Sequence, residues 1–107
     1  MENISAEELR KLIFTNDYGQ RVLYLSGKGL AKVPEAVTDL TELEKLDLSG
    51  NYLKELPTSI NKLKNLKWLI LDKNQLRELP HSICELSNLT VLSVGYKIGR
   101  ASCRERV

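Results

Sequence analysis

Apolar residues recur along this chain at a constant interval of 23 residues. Such an interval is typical of repeat proteins, in which no unit can bury its leucines alone and stacking of neighbouring units forms the core. The chain is therefore expected to fold as a stack of similar units. The repeating columns are Leu43, Leu66 and Leu89; Leu23, Leu46, Leu69 and Leu92; Leu25, Leu48, Leu71 and Val94; Leu30, Leu53 and Leu76; Val33, Leu56 and Leu79; Pro34, Pro57 and Pro80; Val37, Ile60 and Ile83; and Leu40, Leu63 and Leu86.

Each unit contains one short predicted strand. Leu46, Asp47 and Leu48 alternate between apolar and polar side chains, as a half-buried strand requires. The strands of successive units are expected to lie parallel, about 4.8 Å apart. Residues of one column then become neighbours across the sheet.

The segment after each strand is predicted to turn. Asn51 and Asn74 stand there, where a buried amide can bond to backbone groups that the sheet leaves open. The first unit has Lys28 at this place, between Gly27 and Gly29, so its turn is expected to rely on glycine flexibility. The proline column has no N–H groups and therefore favours an irregular segment on the other side of the stack.

The units from Leu43 to Asn65 and from Leu66 to Asn88 both read L-x-x-L-x-L-x-x-N-x-L followed by x-x-L-P-x-x-I-x-x-L. This pattern resembles the leucine-rich repeat, and its Leu-Pro-x-x-Ile part resembles the intracellular Ras-associated group. The resemblance covers residues 20–96, as three full repeats and one truncated repeat. It implies an α/β leucine-rich repeat solenoid, with a parallel sheet on the concave face and an irregular or 3-10 convex side. It also implies a protein partner in small-GTPase signalling, a small GTPase or its effector, and a cytoplasmic location.

Residues 1–19 lie outside the repeat pattern. Ser5 and Glu8 are spaced as a capping box, and Ile4 and Leu9 as a hydrophobic staple. These signals predict a helix over residues 6–16, an N-terminal capping helix that covers the first repeat. The alternative, an amphipathic membrane helix, is disfavoured because the segment is short and acidic in its first turn.

Residues 97–107 are predicted to be a non-native tail. The ten residues from Ile98 to Val107 can be encoded by ATC GGA AGA GCG TCG TGT AGG GAA AGA GTG, which resembles a widely used sequencing-library adaptor. The natural protein is then expected to continue past Tyr96. The alternative, a basic tail for nucleic acid or acidic membranes, is disfavoured because the segment has neither interleaved aromatic residues nor a helical period.

Setting the tail aside changes the expected charge and redox chemistry. The whole chain has a formal net charge of +2, but the tail alone carries +3, so residues 1–96 have a net charge of −1. Cys84 is then the single native cysteine, expected as a half-buried thiol without an intrachain disulfide. That expectation favours a reducing compartment.

Strand alternation places a second set of side chains on the sheet face opposite the leucines, the concave face of a curved stack, called the open face below. Trp68 and Ile70 lie two residues apart there, and a tryptophan beside isoleucine with charges nearby is typical of an interface hot spot. Two plainer interpretations are that lone exposed apolar residues are ordinary and that Trp68 only strengthens the sheet. The predicted protein-binding residues are Tyr24, Lys45, Asp47, Trp68, Ile70, Asp72, Val91 and Ser93.

The sequence offers little for catalysis. His81 is the only histidine, so neither a metal cluster nor a Ser-His-Asp triad can be assembled. Asp47 and Asp72 fall at different outward positions, and Cys84 has only His81 nearby as a base. The glycines around Lys28 lack the spacing of a phosphate-binding loop. No catalytic residue, cofactor or metal is therefore expected.

These observations together favour a non-catalytic protein–protein interaction module, the N-terminal part of a cytoplasmic scaffold. The alternative function is a sensor region of a larger signalling enzyme, with a kinase, GTPase or ligase domain after residue 96. A secreted receptor ectodomain would require a signal peptide and cysteine-rich flanks, which are not seen. Interspersed Lys and Glu residues argue against nucleic acid, and no apolar run is long enough for a membrane span.

Overall fold

The computed structural model describes residues 4–77 and 79–95. A helix, α1, begins the described chain, and five strands form one sheet in the order β1-β2-β3-β4-β5. β1 is antiparallel to β2, whereas all later neighbours are parallel. The elements are α1 (Ala6–Arg10), β1 (Phe14–Thr15), β2 (Arg21–Tyr24), β3 (Lys45–Asp47), β4 (Trp68–Ile70) and β5 (Val91–Ser93).

The parallel strands pair in the register that the sequence interval predicts. Leu23 lies opposite Leu46, and Leu46 lies opposite Leu69. The backbone ladder continues beyond the strands, since the N–H of Leu48 donates to the carbonyl of Ile70 over 2.8 Å. The interval therefore fixes both the spacing of the units and the pairing of their backbones.

The leucine columns form the core on one face of the sheet. Leu23, Leu46 and Leu69 are fully buried, and the other columns join the same apolar cluster. Leu92, the fourth member of this column, is 38% exposed. The difference follows from position, because β5 is paired with β4 on one side only within the described sheet.

The side opposite the strands carries three short 3-10 helices, η1 (Glu35–Asp39), η2 (Thr58–Lys62) and η3 (His81–Glu85). Each begins directly after a proline, whose carbonyl accepts the first turn's hydrogen bond; the N–H of Val37 donates to the carbonyl of Pro34 over 2.9 Å. The proline column predicts an irregular segment, and the family resemblance implies an irregular or 3-10 one; a 3-10 helix follows each of the three prolines.

Two buried asparagines bond the turns that follow β2, β3 and β4. The side-chain carbonyl of Asn51 accepts from the N–H groups of Lys28 and Leu30, both at 3.0 Å. Its NH₂ group donates to the carbonyls of Leu25 and Leu48, both at 2.9 Å. Asn51 therefore satisfies backbone groups of its own repeat and of the preceding one, and the predicted role is confirmed.

The corresponding bonds of Asn74 connect the next two repeats. Its side-chain carbonyl accepts from the N–H of Leu53 at 3.0 Å, and its NH₂ donates to the carbonyls of Leu48 and Leu71 at 2.9 and 3.1 Å. The two asparagines thus bond successive turns together across the stack.

Asn51→Ala is expected to destabilise the fold by about 3 kcal/mol, because several buried backbone groups lose their partners at once. Asn65→Ala is the matched control, since the exposed Asn65 side chain makes one bond, to the carbonyl of Thr41, and should cost less than about 1 kcal/mol. Urea unfolding followed by circular dichroism measures both. Equal losses for the two variants would contradict the proposed role of burial.

One turn position adopts a left-handed backbone in every described repeat. Gly27 and Gly50 occupy it with φ of 64° and 68°, and Lys73 occupies it in the third repeat with φ of 59°. A side chain is strained in this region, whereas glycine is not. Lys73 therefore holds a conformation that the two preceding repeats assign to glycine.

Lys73→Gly is expected to stabilise the chain by roughly 0.5–1 kcal/mol, because relief of strain exceeds the added freedom of the unfolded chain. Gly50→Lys places a lysine at the equivalent position of the preceding repeat and is expected to destabilise the fold. Thermal and urea unfolding of the two variants tests whether this left-handed position favours glycine. It fails if both substitutions shift stability in the same direction.

The N-terminal segment differs from the prediction. The capping box is confirmed, since the N–H of Glu8 donates to Ser5 Oγ at 3.2 Å and the Glu8 carboxylate accepts from the N–H of Ser5 at 3.3 Å. The helix, predicted over residues 6–16, ends at Arg10. The chain then forms β1, because pairing with the free edge of β2 satisfies backbone groups there, and Phe14 and Thr15 favour a strand.

Within the described part of the chain, the helices are all too short or too polar to cross a lipid bilayer.

Candidate functional site

The open face of the sheet consists of two rows of side chains aligned by the strand register. Nearly all of the predicted binding residues lie in these rows, and Asp72 follows β4 directly. The structure thus brings the predicted set together, while binding itself stays a prediction. The first row is Val22, Lys45, Trp68 and Val91; the second is Tyr24, Asp47, Ile70 and Ser93.

Phe14 extends the first row and is not among the predicted binding residues. It pairs directly opposite Val22 across the antiparallel β1–β2 pair, so the two side chains share a face. Val22, expected at an outward position, is fully buried. The signal that could have located Phe14 is the β-favouring run of Ile13, Phe14 and Thr15 directly after the short helix.

Three aromatic rings and one ammonium group form a continuous cluster across four strands. The rings of Phe14 and Tyr24 are 5.4 Å apart and tilted by 49°. Lys45 Nζ lies 5.7 Å from the Tyr24 ring centroid and 4.9 Å from the Trp68 ring centroid. Cation–π contacts at partly exposed sites contribute roughly 0.5–1 kcal/mol each. They hold Lys45 at the centre of the face, between two rings.

Trp68 and Tyr24, two members of this cluster, are also partly exposed to solvent. Trp68 is 36% exposed and Tyr24 is 46% exposed. Ile70 and Val91, next to Trp68 in the rows, are half-buried. The half of the face over β4 and β5 is therefore largely apolar, whereas the half over β2 and β3 carries the aromatic–cation contacts.

The two carboxylates of the site are oriented by serine hydroxyls. Asp47 Oδ1 accepts from the N–H of Ser49 at 3.0 Å and from its Oγ at 2.7 Å. Asp72 Oδ1 accepts from Ser93 Oγ at 2.7 Å. The two carboxylates thus bind to different serines.

Gly95 approaches Asp72 closely. A Cβ atom at position 95 would lie 3.0 Å from Asp72 Oδ1 and 3.2 Å from its Cγ, and φ of Gly95 is 74°. Only glycine fits without displacing the carboxylate from Ser93.

A third line of side chains borders the rows at the start of the strands. Glu44 accepts from the N–H of Arg21 at 2.9 Å and pairs with Lys67 Nζ at 3.8 Å. Its carboxylate is thus shared between two neighbouring repeats. Arg21 and Lys67 are exposed, and Glu44 lies between them as their common partner.

The residues considered for metal binding or catalysis are not grouped. No cluster of three or more histidine, cysteine, aspartate or glutamate side chains that could hold a metal occurs among residues 4–77 and 79–95. His81 begins η3, on the side of the stack away from the open face.

The expectation of a free Cys84 thiol is wrong. Cys84 is half-buried, as predicted, but it is disulfide-bonded. The expectation failed because it set aside the tail and with it the chain's second cysteine, Cys103, which lies outside the described residues. The inference of a reducing compartment from a lone cysteine fails with it.

Glu42, in the first repeat, has a shifted pKa. Burial of the Glu42 carboxyl raises its pKa. The pKa is lowered by a larger amount by a backbone hydrogen bond, by the 3.0 Å bond from Arg10 Nε and by the charges of Arg10 and Arg21. The net pKa of Glu42 is below its usual value. Arg10 also donates to the carbonyl of Asp39 at 3.3 Å, so this ion pair fastens α1 to the first repeat.

Glu42→Gln is expected to lower the free energy of unfolding by no more than about 1 kcal/mol, since Arg10 and Glu42 are both partly exposed. This contribution depends on pH. Because the folded-state pKa is lowered, this stability is present above the unfolded-state pKa of 4.5 and is lost as the pH falls through the folded value. Urea unfolding at neutral and at strongly acidic pH measures it, with the exposed Glu55→Gln as control. A difference between wild type and Glu42→Gln that persists in strong acid would contradict the assignment.

The stacked units, their parallel sheet and the uncovered face together define a repeat protein. A family model described as a leucine-rich repeat region matches residues 3–103. The chain belongs to the leucine-rich repeat family.

A solved structure shows the same fold. A chain in the crystal structure of the Drosophila melanogaster SNF/U2A′ complex is similar with a TM-score of 0.71 and 24% identity; the match covers 98% of this chain and 62% of that one. A leucine-rich repeat protein of Leptospira interrogans matches with a TM-score of 0.42 and 27% identity, over 88% of this chain and 34% of that one. The chain thus spans less than two thirds of either structure. No curated protein matches it.

Proposed function

We propose that this chain is a non-catalytic protein-interaction module and that the open face is its binding surface. Membership of the leucine-rich repeat family supports an interaction role. The single observation that carries the proposal is the Tyr24–Lys45–Trp68 cluster, in which large side chains are held in place yet partly open to solvent.

Preorganisation is the physical reason to assign binding to this face. Aromatic residues with few rotatable bonds lose little entropy on association, and contacts within the face already restrict them. The strands beneath are fixed by a fully buried core. A partner would therefore meet a surface whose shape changes little on binding.

The finer steps of the proposal concern the setting of the chain. We place three full repeats and one truncated repeat in residues 20–96, with α1 and β1 closing the first repeat; the burial of Leu9 in the core and the Arg10–Glu42 pair support this. The resemblance to the Ras-associated group supports a cytoplasmic scaffold that binds a small GTPase or its effector. Titration with a Ras-family GTPase, loaded with GDP or with a GTP analogue, tests that partner.

Trp68→Ala is expected to weaken partner capture at least tenfold while lowering stability by only about 1–2 kcal/mol, because Trp68 lies on the open face. Leu69→Ala is the contrasting variant, because Leu69, the next residue in the sequence, is fully buried. This substitution should lower stability by about 2–5 kcal/mol. Urea unfolding measures stability. If Trp68→Ala is as destabilising as Leu69→Ala, Trp68 is structural.

Capture is measured by photo-cross-linking in cell extract. Benzoylphenylalanine replaces Tyr24 on the open face or, as matched control, Tyr18, which is 87% exposed in the turn between β1 and β2. We expect a discrete cross-linked protein from position 24 alone, lost in the Trp68→Ala background. The same product from position 18, undiminished by Trp68→Ala, would rule out the open face.

A further inference from the structure

Lys45 is the cationic residue of the two rows, and no carboxylate among the described residues lies within ion-pair distance of it. Its Nζ contacts the faces of Tyr24 and Trp68, and within the described residues it forms neither an ion pair nor a hydrogen bond. Aromatic faces attract an ammonium group but do not accept its N–H bonds as a carboxylate does. The side chain is half-buried, so its position is fixed while its donors stay available.

The nearby carboxylates are already engaged. Asp47 accepts twice from Ser49, and Glu44 is shared between the backbone of Arg21 and Lys67. Neither comes within ion-pair distance of Lys45. The ammonium group of Lys45 therefore keeps its N–H donors available to an incoming carboxylate, while the carboxylates nearby are bonded to other donors.

The apolar half of the face begins one strand away. Trp68 lies opposite Lys45, and Val91 lies opposite Trp68, so the midpoint of this apolar pair is about one and a half strand spacings, ~7 Å, from Lys45. In an extended segment, side chains two residues apart point the same way and are separated by ~6.8 Å. The two distances agree, so one extended segment crossing the strands can reach both places.

From this juxtaposition we propose that the open face binds an extended protein segment that carries an acidic residue and, two residues along, a large apolar residue. The carboxylate accepts from Lys45 Nζ between the rings of Tyr24 and Trp68, and the apolar side chain packs on Trp68, Ile70 and Val91. This inference rests on the proposed function and adds the chemistry of the partner.

Selection from a phage library of random seven-residue peptides on the immobilised 107-residue chain tests the chemistry. Selected sequences should be enriched in Asp or Glu two positions from Leu, Ile, Phe or Met. Enrichment of Arg or Lys instead would overturn the inference, since the aromatic rings would then hold a partner's cation in place of Lys45.

The role of Lys45 is tested with a dye-labelled selected peptide and fluorescence anisotropy. Lys45→Met keeps the apolar stem without the charge and should weaken binding about tenfold or more, the expected loss of a charge-assisted hydrogen bond. It should also flatten the dependence of affinity on salt, whereas Lys45→Arg should retain most binding. Lys64→Met, at an exposed turn outside the rows, is the matched control and should bind like wild type.

The outcomes separate the two proposals. Binding that falls with Trp68→Ala but not with Lys45→Met overturns the acidic-segment inference and leaves the open face as the binding surface. Binding that survives both substitutions contradicts the open face itself. Thermal unfolding of each variant verifies that it is folded under the binding conditions.

Discussion

The burial of leucines between neighbouring repeats is the constraint on which the rest of the structure depends. A single unit has one short strand and one 3-10 turn, and neither can cover its own apolar side chains. When units stack, Leu23, Leu46 and Leu69 become neighbours and leave water together. Leu92 shows the same rule from the other side: paired along one edge only, it is the exposed member of its column.

Polar groups follow the same stacking. Each parallel strand ends where its backbone turns away from the sheet, and the buried amides of Asn51 and Asn74 satisfy the groups released there. Since each amide bonds to its own repeat and to the preceding one, the polar bonds and the apolar core reinforce each other. The backbone beside them is left-handed, which explains why two repeats have glycine there; the third repeat has Lys73 at this position.

Because the core takes one face of every strand, the opposite face is free to vary in chemistry. Its side chains need only tolerate their row neighbours, and here those neighbours create a charge held between two rings, beside an apolar patch. This arrangement supports the proposed recognition of a protein partner.

The sequence by itself determined the repeat units, the strand register, the core columns, the asparagine turns and the 3-10 segments after proline. These features are periodic, so each is specified again in every repeat. Tertiary structure alone decided that the helix ends at Arg10, that Phe14 joins the sheet opposite Val22, and that Val22 is buried. It also decided that Lys45 lies between Tyr24 and Trp68. These outcomes depend on the free edge of β2 and on side-chain rotamers chosen by residues distant in the chain, and no local pattern encodes such contacts.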